Sequence, residues 1–554
     1  MIFDNQVIVL NKFKWFNYKF EHISIHLTVR MPENLIHELL NVLNNRDHSF
    51  ILNNFKKVLD KRLTMQYSII VHAPDFLIAA VDAIRSYPIY FTKNGDFIIS
   101  DDFKTIFNKL NINKYSSIDQ FAISQIALSG FLSSRGTISK NVETLSAQEC
   151  VMFSNGHRRF YRKNSFIPTE NNKKPDTNEF TRLLLSIFDD MTKQLNGKHI
   201  FVPLSAGYDS RLVVSALKMC DYREVTCFYY GRDGSFEQSA SKKIADRLGY
   251  DWIDVRLDDR FMKSFFSSDM FNKYVDYSDN GFSVPFVQDI AALSKMFESN
   301  QIDKDACVIN GNSGDFISGG HIPSELKLET PEYVNFNTLS ENIFNPFYEK
   351  HFKLWNKLGN DILKNKIRST LETSLFEILN NNNVAAIDSS LKYELLEYYG
   401  RQSSYVVSAQ RTYDFFGLDW KLPLWDTRII DYFFSISPEY KYDQGFYKDT
   451  LINNNWCNVW HDIPLNKKTL YSYKIIIPRT LAKVMSAPFG KSNWHKVERR
   501  FFNYWLDDTR NSCENTYYAY LKNSFDARNR VSFQAEKYIN NYKFSLDVVN
   551  KYKD

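Results

Sequence analysis

Residues 200–217 read as strand, tight loop, helix. Ile200-Phe201-Val202-Pro203-Leu204 is a short apolar run, and Ser205-Ala206-Gly207-Tyr208-Asp209-Ser210 is a loop of mostly small residues. Leu212-Val213-Val214-Ser215-Ala216-Leu217 then carries helical apolar content. No other segment constrains the fold as strongly, because this order belongs to a parallel α/β sheet with its loops at the carboxyl edge. Such a loop aims several backbone N–H groups at one spot in front of a helix N-terminus, where the dipole also favours an anion. Ser205 and Ser210 add hydroxyl donors. Asp209 repels a phosphate on its own and fits there once Mg²⁺ lies between the two. The loop therefore predicts a pyrophosphate and Mg²⁺ site. The plain alternative is a βα turn with an Asp/Ser cap. The spacing lacks the Lys-Ser/Thr of the Walker pattern and is not G-x-G-x-x-G.

A second segment repeats the design about a hundred residues on. Val308-Ile309-Asn310 leads into Gly311-Asn312-Ser313-Gly314-Asp315-Phe316-Ile317-Ser318-Gly319-Gly320-His321. This is again a strand end, a small-residue loop with one acidic residue, and a Gly pair. Two such loops can meet at the carboxyl edge of one sheet, so that Asp209 and Asp315 share one Mg²⁺. The plain alternative for 311–320 is a surface loop. A third segment, Leu418-Asp419-Trp420-Lys421-Leu422-Pro423-Leu424-Trp425-Asp426, precedes a helical pattern and then Lys448-Asp449-Thr450-Leu451.

The first loop resembles the PP-loop, S-G-G-x-D-S, of enzymes that split ATP into AMP and pyrophosphate, with Ala206 for the first Gly. Ala is tolerated there only at negative φ. Together the segments resemble the asparagine synthetase family across most of the chain. Gly311 to Gly320 is similar to the family's G-E-G-x-D-E-x-x-G-G, with Asp315 on its Asp. Asp419 to Asp426 is similar to E-x-R-x-P-F-L-D, with Lys421 for Arg. Lys448 to Leu451 is similar to the K-x-x-L-R helix start. Val225 to Gly231 and Glu237 to Gly249 resemble the second strand, which borders adenine, and the helix after it. Asn312 and Phe316 stand where many members carry Glu, which puts the choice of carboxylate and amine in question rather than the ATP chemistry.

The resemblance implies an α/β protein in two parts. The first is an Ntn-hydrolase-like αββα sandwich, and the second a PP-loop ATP pyrophosphatase-type (adenine nucleotide α-hydrolase-like) parallel sheet with a helical C-terminal extension. Residues 1–165 form the glutaminase-like domain, 166–176 a linker, 177–470 the ATP-binding domain and 471–554 the extension. Glutamine-using members begin Met-Cys, and that Cys is the N-terminal nucleophile. This chain begins Met1-Ile2-Phe3 and has no Cys before Cys150. Phe76 to Asp82 with Arg85 to Phe91, Phe97 to Asp101, Gly130 to Thr137, Val142 to Leu145 and Arg159 to Tyr161 nevertheless resemble the domain's outline. We expect a glutaminase-like domain without glutaminase activity, serving as a packing partner and a wall of the second site.

Composition narrows the partners. With 69 basic and 64 acidic residues the net charge is +5, which leaves no overall electrostatic footprint for nucleic acid. Apolar runs fall far below the ~20 residues of a membrane span. The six cysteines show no C-x-x-C, which argues against zinc or a disulfide framework and for a reduced, cytoplasmic protein. Cys227 and Cys307 are expected to be small core hydrophobes. From about Lys467 the tail is basic and aromatic. A solvated helical face is its plain reading, and a contact surface for an anionic, nucleotide-linked or lipid-phosphate-linked sugar is the other. Phe501 to Leu506 is expected in the core.

The chemistry implied is a carbon–nitrogen ligase using ATP and Mg²⁺. A substrate carboxylate attacks the α-phosphorus, pyrophosphate leaves, and ammonia or an amine takes the acyl group. The catalytic set is Lys448, Asp209 and Asp315, with Asp209 and Asp315 as metal ligands. Lys448 stabilises negative charge in the crowded intermediates, and Lys421 is a lesser candidate. Nucleotide binding falls to Leu204, Ser205, Ala206, Gly207, Tyr208, Asp209, Ser210, Tyr229, Gly311, Ser313 and Gly314. Chains with these two loops and no N-terminal Cys resemble amidotransferases of bacterial surface-polysaccharide pathways. The expected partner is thus a small-molecule carboxylate such as a uronic acid, free or nucleotide- or lipid-linked, with ammonia free or from a separate source. The alternatives are asparagine synthesis, intramolecular ring closure as in β-lactam synthetases or lasso-peptide cyclases, PP-loop tRNA modification, and a non-catalytic ATP-binding relic.

Overall fold

In a computed structural model the chain is described at all residues except 1–6, 94–96, 111–115, 163–171, 232–233, 329–338, 382–387, 466–472, 507–515 and 554. The N-terminal positions 1–3, most of the expected linker, Lys467-Lys468 and Cys513 lie outside the described residues.

The N-terminal half stacks two sheets. One has six strands in the order His157–Tyr161, Cys150–Ser154, Phe76–Val81, Ser68–His72, Ile23–Leu27, Phe16–Phe20, all antiparallel. The other has four: Val7–Val9, Ile98–Ser100, Tyr90–Thr92 and Val142–Thr144. Successive side chains of a strand point to opposite faces. Leu77, Ala79 and Val81 thus meet Phe91, Ile99 and Leu145 between the sheets. Phe76, Ile78 and Ala80 face the Glu33–Leu43 and His48–Arg62 helices. Tyr90 and Ile98 on the other outer face pack on the Phe103–Lys109 helix. The layers run α, β, β, α.

The second half is built on five parallel strands, in the order Asp251–Arg256, Val225–Gly231, Ile200–Pro203, Cys307–Ile309, Asp419–Lys421. In chain order that is 3-2-1-4-5, so the direction of winding reverses between Ile200–Pro203 and Cys307–Ile309. Loops leaving two strands at such a switch point diverge to opposite faces and open a crevice at the carboxyl edge. Cys227 and Cys307 are fully buried in this sheet, and burial raises both thiols, that of Cys307 to about 12.

The two halves share one core. Leu132 N–H donates to Phe282 O (2.8 Å), Val284 N–H to Gly130 O (2.9 Å) and Ile138 N–H to Gly281 O (2.7 Å). Buried Arg85 donates to Ser403 O (3.0 Å) and Ser404 Oγ (2.8 Å) and lies 3.9 Å over the Phe282 ring. The tail is helical, and its Arg530–Asn541 helix returns to pack on the Gln120–Ser129 helix of the N-terminal half. The expectation that residues 501–506 are core holds for Tyr504, which is buried. Phe501 and Trp505 are exposed. Apolar content marks burial somewhere without saying against what. Among the described residues no helix is long and apolar enough to cross a membrane.

Candidate active site at the sheet switch point

The crevice between the two central strands is a cavity of about 410 Å³. Its floor is made by Leu204, Ser205, Asp209 and Ser210 from the first loop and by Gly311, Ser313 and Asp315 from the second. Asp209 sits in the first turn of the Tyr208–Met219 helix, and Asp315 in that of the short Gly314–Ile317 helix. The loops touch. Asp315 N–H donates to Asp209 Oδ2 at 3.1 Å, and Tyr447 Oη donates to Asp209 Oδ1 at 2.9 Å.

Glycine is required where these backbones meet. A Cβ on Gly311 would lie 2.6 Å from the Asp209 carbonyl carbon, and one on Gly314 2.5 Å from Asp209 Cγ. Ser313, at φ +69°, is held in the left-handed region while its hydroxyl donates to Gln402 Oε1 (2.8 Å). A non-glycine residue persists there only when its surroundings over-determine it. The first loop closes on itself, with Ser205 and Ser210 hydroxyls 3.0 Å apart and Gly207 N–H donating to Ser205 Oγ at 3.1 Å. Ala206 is not among the positive-φ residues, so the Gly-to-Ala departure carries no strain. Its carbonyl accepts from Arg211, which also reaches the carbonyls of Val459, Ile463 and Pro464. Arg211 is fully buried, and burial lowers its guanidinium to about 10.

The far wall comes from Phe228, Tyr229 and Tyr230 at the end of the second strand, Glu237, and Phe286, Gln288 and Asp289. The last three follow the 281–284 run that the N-terminal half holds in place. Asp289 accepts from Tyr413 (2.6 Å) and Tyr230. Tyr229 shares a hydrogen bond with Ser235 Oγ at 2.7 Å.

Some expected site residues lie elsewhere. Tyr208 turns from the cavity to Trp460, with ring centroids 6.1 Å apart, because the start of its helix aims it sideways. Ala206, Gly207 and Gly314 shape the loops without lining the cavity. Lys448 follows Tyr447 in the helix Gly445–Asn454, donates to Asp443 O at 2.7 Å and lies 5.6 Å over the Tyr208 ring. It touches neither aspartate. Lys421 pairs with Ile309 in the sheet and is not on the cavity lining. Asn312 lines the cavity, whereas Phe316 is buried against Trp425, a place where a Glu would lose its hydration.

Sequence reasoning passed over the group behind Asp315. His321 bridges Asp315 Oδ2 (3.1 Å, through Nε2) and fully buried Glu397 (through Nδ1). Lys350 Nζ (3.1 Å), His351 Nε2 (3.4 Å) and Arg401 (4.0 Å) surround the same carboxylate. Glu397 opens a π-helical run, Tyr398–Val406. With i→i+5 bonding, Glu397, Arg401 and Gln402 fall on one face, and such runs gather at functional sites. Burial would lower His321, but its bonds to Asp315 and Glu397 outweigh that and raise it to about 9. Asp315 is in turn held below the usual carboxylate range: burial pushes it up, and His321 more than offsets this. Asp209 moves the other way, up to about 7, through burial and then the charge of Asp315.

These residues fit a hard divalent cation. Two adjacent carboxylates, one of them raised by burial and by the charge of the other, supply oxygen ligands. Among the described residues no group of three or more His, Cys, Asp or Glu is placed to hold a metal. That donor set suits Mg²⁺, which keeps waters and substrate phosphates as ligands. The proton on Asp209 must leave when a cation binds. Apparent affinity for Mn²⁺, read by water-proton relaxation without nucleotide, should therefore weaken by up to about tenfold per pH unit below pH 7. An affinity that stays flat between about pH 6 and 8 would oppose the assignment.

The family model described as asparagine synthase matches residues 196–451. No curated protein matches the chain. Among solved structures it is similar to an NH3-dependent NAD synthetase from Campylobacter jejuni in complex with the nitrate ion. Identity is 13%, over 41% of this chain and 93% of that one, with a TM-score of 0.22. It is also similar to an NMN synthetase from Francisella tularensis, at 11% identity over 41% of this chain and 93% of that one, with a TM-score of 0.20.

Proposed function

We propose, from the match of residues 196–451 to the asparagine synthase family model, that the protein is an ATP-dependent, amide-forming ligase. It adenylates a substrate carboxylate, releases pyrophosphate and passes the acyl group to ammonia or an amine. One observation carries the reading: Asp209 and Asp315, 106 positions apart in the chain, share the floor of one cavity at the switch point.

Adenylation is needed because a carboxylate is a poor electrophile and hydroxide a poor leaving group. Backbone N–H groups of residues 205–210, the Ser205 and Ser210 hydroxyls and the helix N-terminus behind them would receive the departing pyrophosphate. Asp209 and Asp315 would hold Mg²⁺, which when bound neutralises phosphate charge. Tyr229 and Tyr230 offer apolar surface to the adenine. Lys448 is proposed to meet negative charge developing at phosphorus and carbon, for which it must leave the Asp443 carbonyl.

We propose a uronic acid as the carboxylate, in surface-polysaccharide synthesis in the cytoplasm, with ammonia free or from a separate glutaminase. The two loop sequences, 205–211 and 311–321, support this by their likeness to amidotransferases of such pathways. Arg401 supports an acidic substrate. Among the described residues its guanidinium makes no hydrogen bond, stands 33% exposed and lends its charge to Asp315. A planar fork of donors suits a carboxylate.

ATP–pyrophosphate exchange over a panel of sugar acids and amino acids tests the reading, with the product mass after adding ammonium. Exchange should require one acid and Mg²⁺, and the product should be its amide. ATP binding that is indifferent to Mg²⁺, with no exchange for any acid, would leave the relic reading standing. Arg401→Gln should raise KM for the acid at least tenfold while KM for ATP is unchanged, a loss of about 1.4 kcal/mol. Equal changes in both constants would remove Arg401 from acid recognition.

A further inference from the structure

We infer that the helical hairpin 473–501 docks the protein on a lipid bilayer surface bearing anionic headgroups. The inference rests on this hairpin alone and is independent of the ligase reading.

The hairpin is the Tyr473–Ser486 helix, a turn at Ala487–Phe489 and the Gly490–Phe501 helix. Its first helix shows apolar side chains to water. Ile477 is 57% exposed, Leu481 61%, Val484 67% and Met485 75%, and Phe489 beyond the helix is 70% exposed. The spacing i, i+4, i+7, i+8 puts the first four on one face. Ile476 is exposed as well. Single exposed hydrophobes are ordinary on a protein surface, whereas a contiguous stripe marks a contact. Among the described residues, six of the fifteen exposed large hydrophobes fall within residues 476–489.

The stripe is not a core face turned the wrong way. The opposite side of the helix already has its partners. Arg479 donates to Glu498 at 2.7 Å and lies over the ring of buried Trp494. Ser486 is buried on that side too.

Charge decides what covers the stripe. Residues 473–500 hold seven Lys and Arg (Lys474, Arg479, Lys483, Lys491, Lys496, Arg499, Arg500) and a single acidic residue, Glu498, which Arg479 occupies. The whole chain carries only +5, so its positive excess is concentrated here and the remainder is close to neutral. Lys483, Lys491, Lys496 and Arg499 are exposed on the same hairpin. An exposed aliphatic face on a strongly basic helical hairpin suits a surface whose acyl boundary takes the apolar side and whose lipid phosphates take the cations. Lysine stems can lie along the apolar surface while their ammonium groups stay wet. A second copy is a poor occupant, since a two-fold contact would set like charges against each other. Nucleic acid would use the cations and leave the aliphatic stripe in water.

The test is flotation of the full chain with vesicles of phosphatidylcholine, alone and with about a third phosphatidylglycerol. Binding to the anionic vesicles should be at least tenfold tighter, and it should weaken as salt is raised. The double variant Leu481→Asp/Met485→Asp should lose at least tenfold. Lys483→Glu/Lys491→Glu should lose as much and flatten the salt dependence. Both variants should keep the wild-type melting temperature and ATP binding, which separates lost docking from lost folding. The inference is overturned if neither vesicle is bound, or if binding ignores both variants. It is also overturned if the apolar variant instead dissolves a dimer in solution, or if an RNA duplex binds tighter than the anionic vesicles and ignores the apolar variant.

Discussion

Asp209→Asn and Asp315→Asn are each expected to lower ATP–pyrophosphate exchange by about a thousandfold or more, a loss near 4 kcal/mol in barrier. Neither change should unfold the protein. An Asn at 209 keeps one oxygen to accept from Asp315 N–H, and its amide N–H can donate to Tyr447 Oη, whose hydroxyl now donates to the carboxylate. An Asn at 315 leaves His321 its second carboxylate, Glu397. What each variant removes is half of the protein's charge toward a cation whose other ligands are water and phosphate. Residues that act as a unit are not additive. The double variant should therefore be little slower than either single one. Near-normal exchange in both single variants would end the metal assignment. A double variant slower by the product of the single effects would mean that the two carboxylates work independently.

What could be read from the chain follows from where the information lies. The loops at 205–210 and 311–320 were legible because glycine, serine and aspartate punctuate apolar runs locally. The strands at 76–81 and 225–231 were expected from the family resemblance rather than from a period, and 76–81 is buried at every position. The meeting of Asp209 with Asp315 was expected only in that two strand-end loops can share one carboxyl edge, and the 3-2-1-4-5 strand order that brings it about is stated by no local pattern. Tyr447 and Glu397 were missed because their roles exist only across long separations. Glu397 lies 76 positions from His321 and sits in an otherwise ordinary helical run. Arg211 reads as an exposed helix residue until four backbone carbonyls, three of them from residues 459–464, are seen around it. The adjacent pair Tyr447-Lys448 shows the limit of charge as a guide. Lys448 drew attention as the cation, yet the neutral neighbour contacts Asp209. A hint of Glu397 was present in His321, which ends the second loop with a titratable group and so asks for a partner.

Glu397→Gln should destabilise the protein by about 3–5 kcal/mol at mildly acid pH, because removing one member of a buried ionic group leaves the others uncompensated. The glutamine keeps the shape and one acceptor, so the loss is one of charge. His321 and Lys350 would remain around an uncharged amide, and Arg401 would lose its nearest anion. The pH dependence has a definite sign. Glu397 is held well below its ordinary value of 4.5: burial opposes this, and the hydrogen bond and charge of His321 overcome it. Its stabilisation is therefore present above 4.5 and fades as pH falls. His321 is raised from 6.5 to about 9, so its share is complete below 6.5 and lost as pH rises through 9. His351 is pushed down to about 4, burial leading, and stays neutral between those limits. The gap between wild type and variant should be widest between 4.5 and 6.5 and close on both sides. Thermal unfolding midpoints across pH would show it. Adding Lys350→Met to the variant should recover part of the loss by removing a stranded cation. A gap under about 1 kcal/mol, or one that ignores pH, would mean that water screens the cluster and that His321 does not depend on Glu397 to hold Asp315.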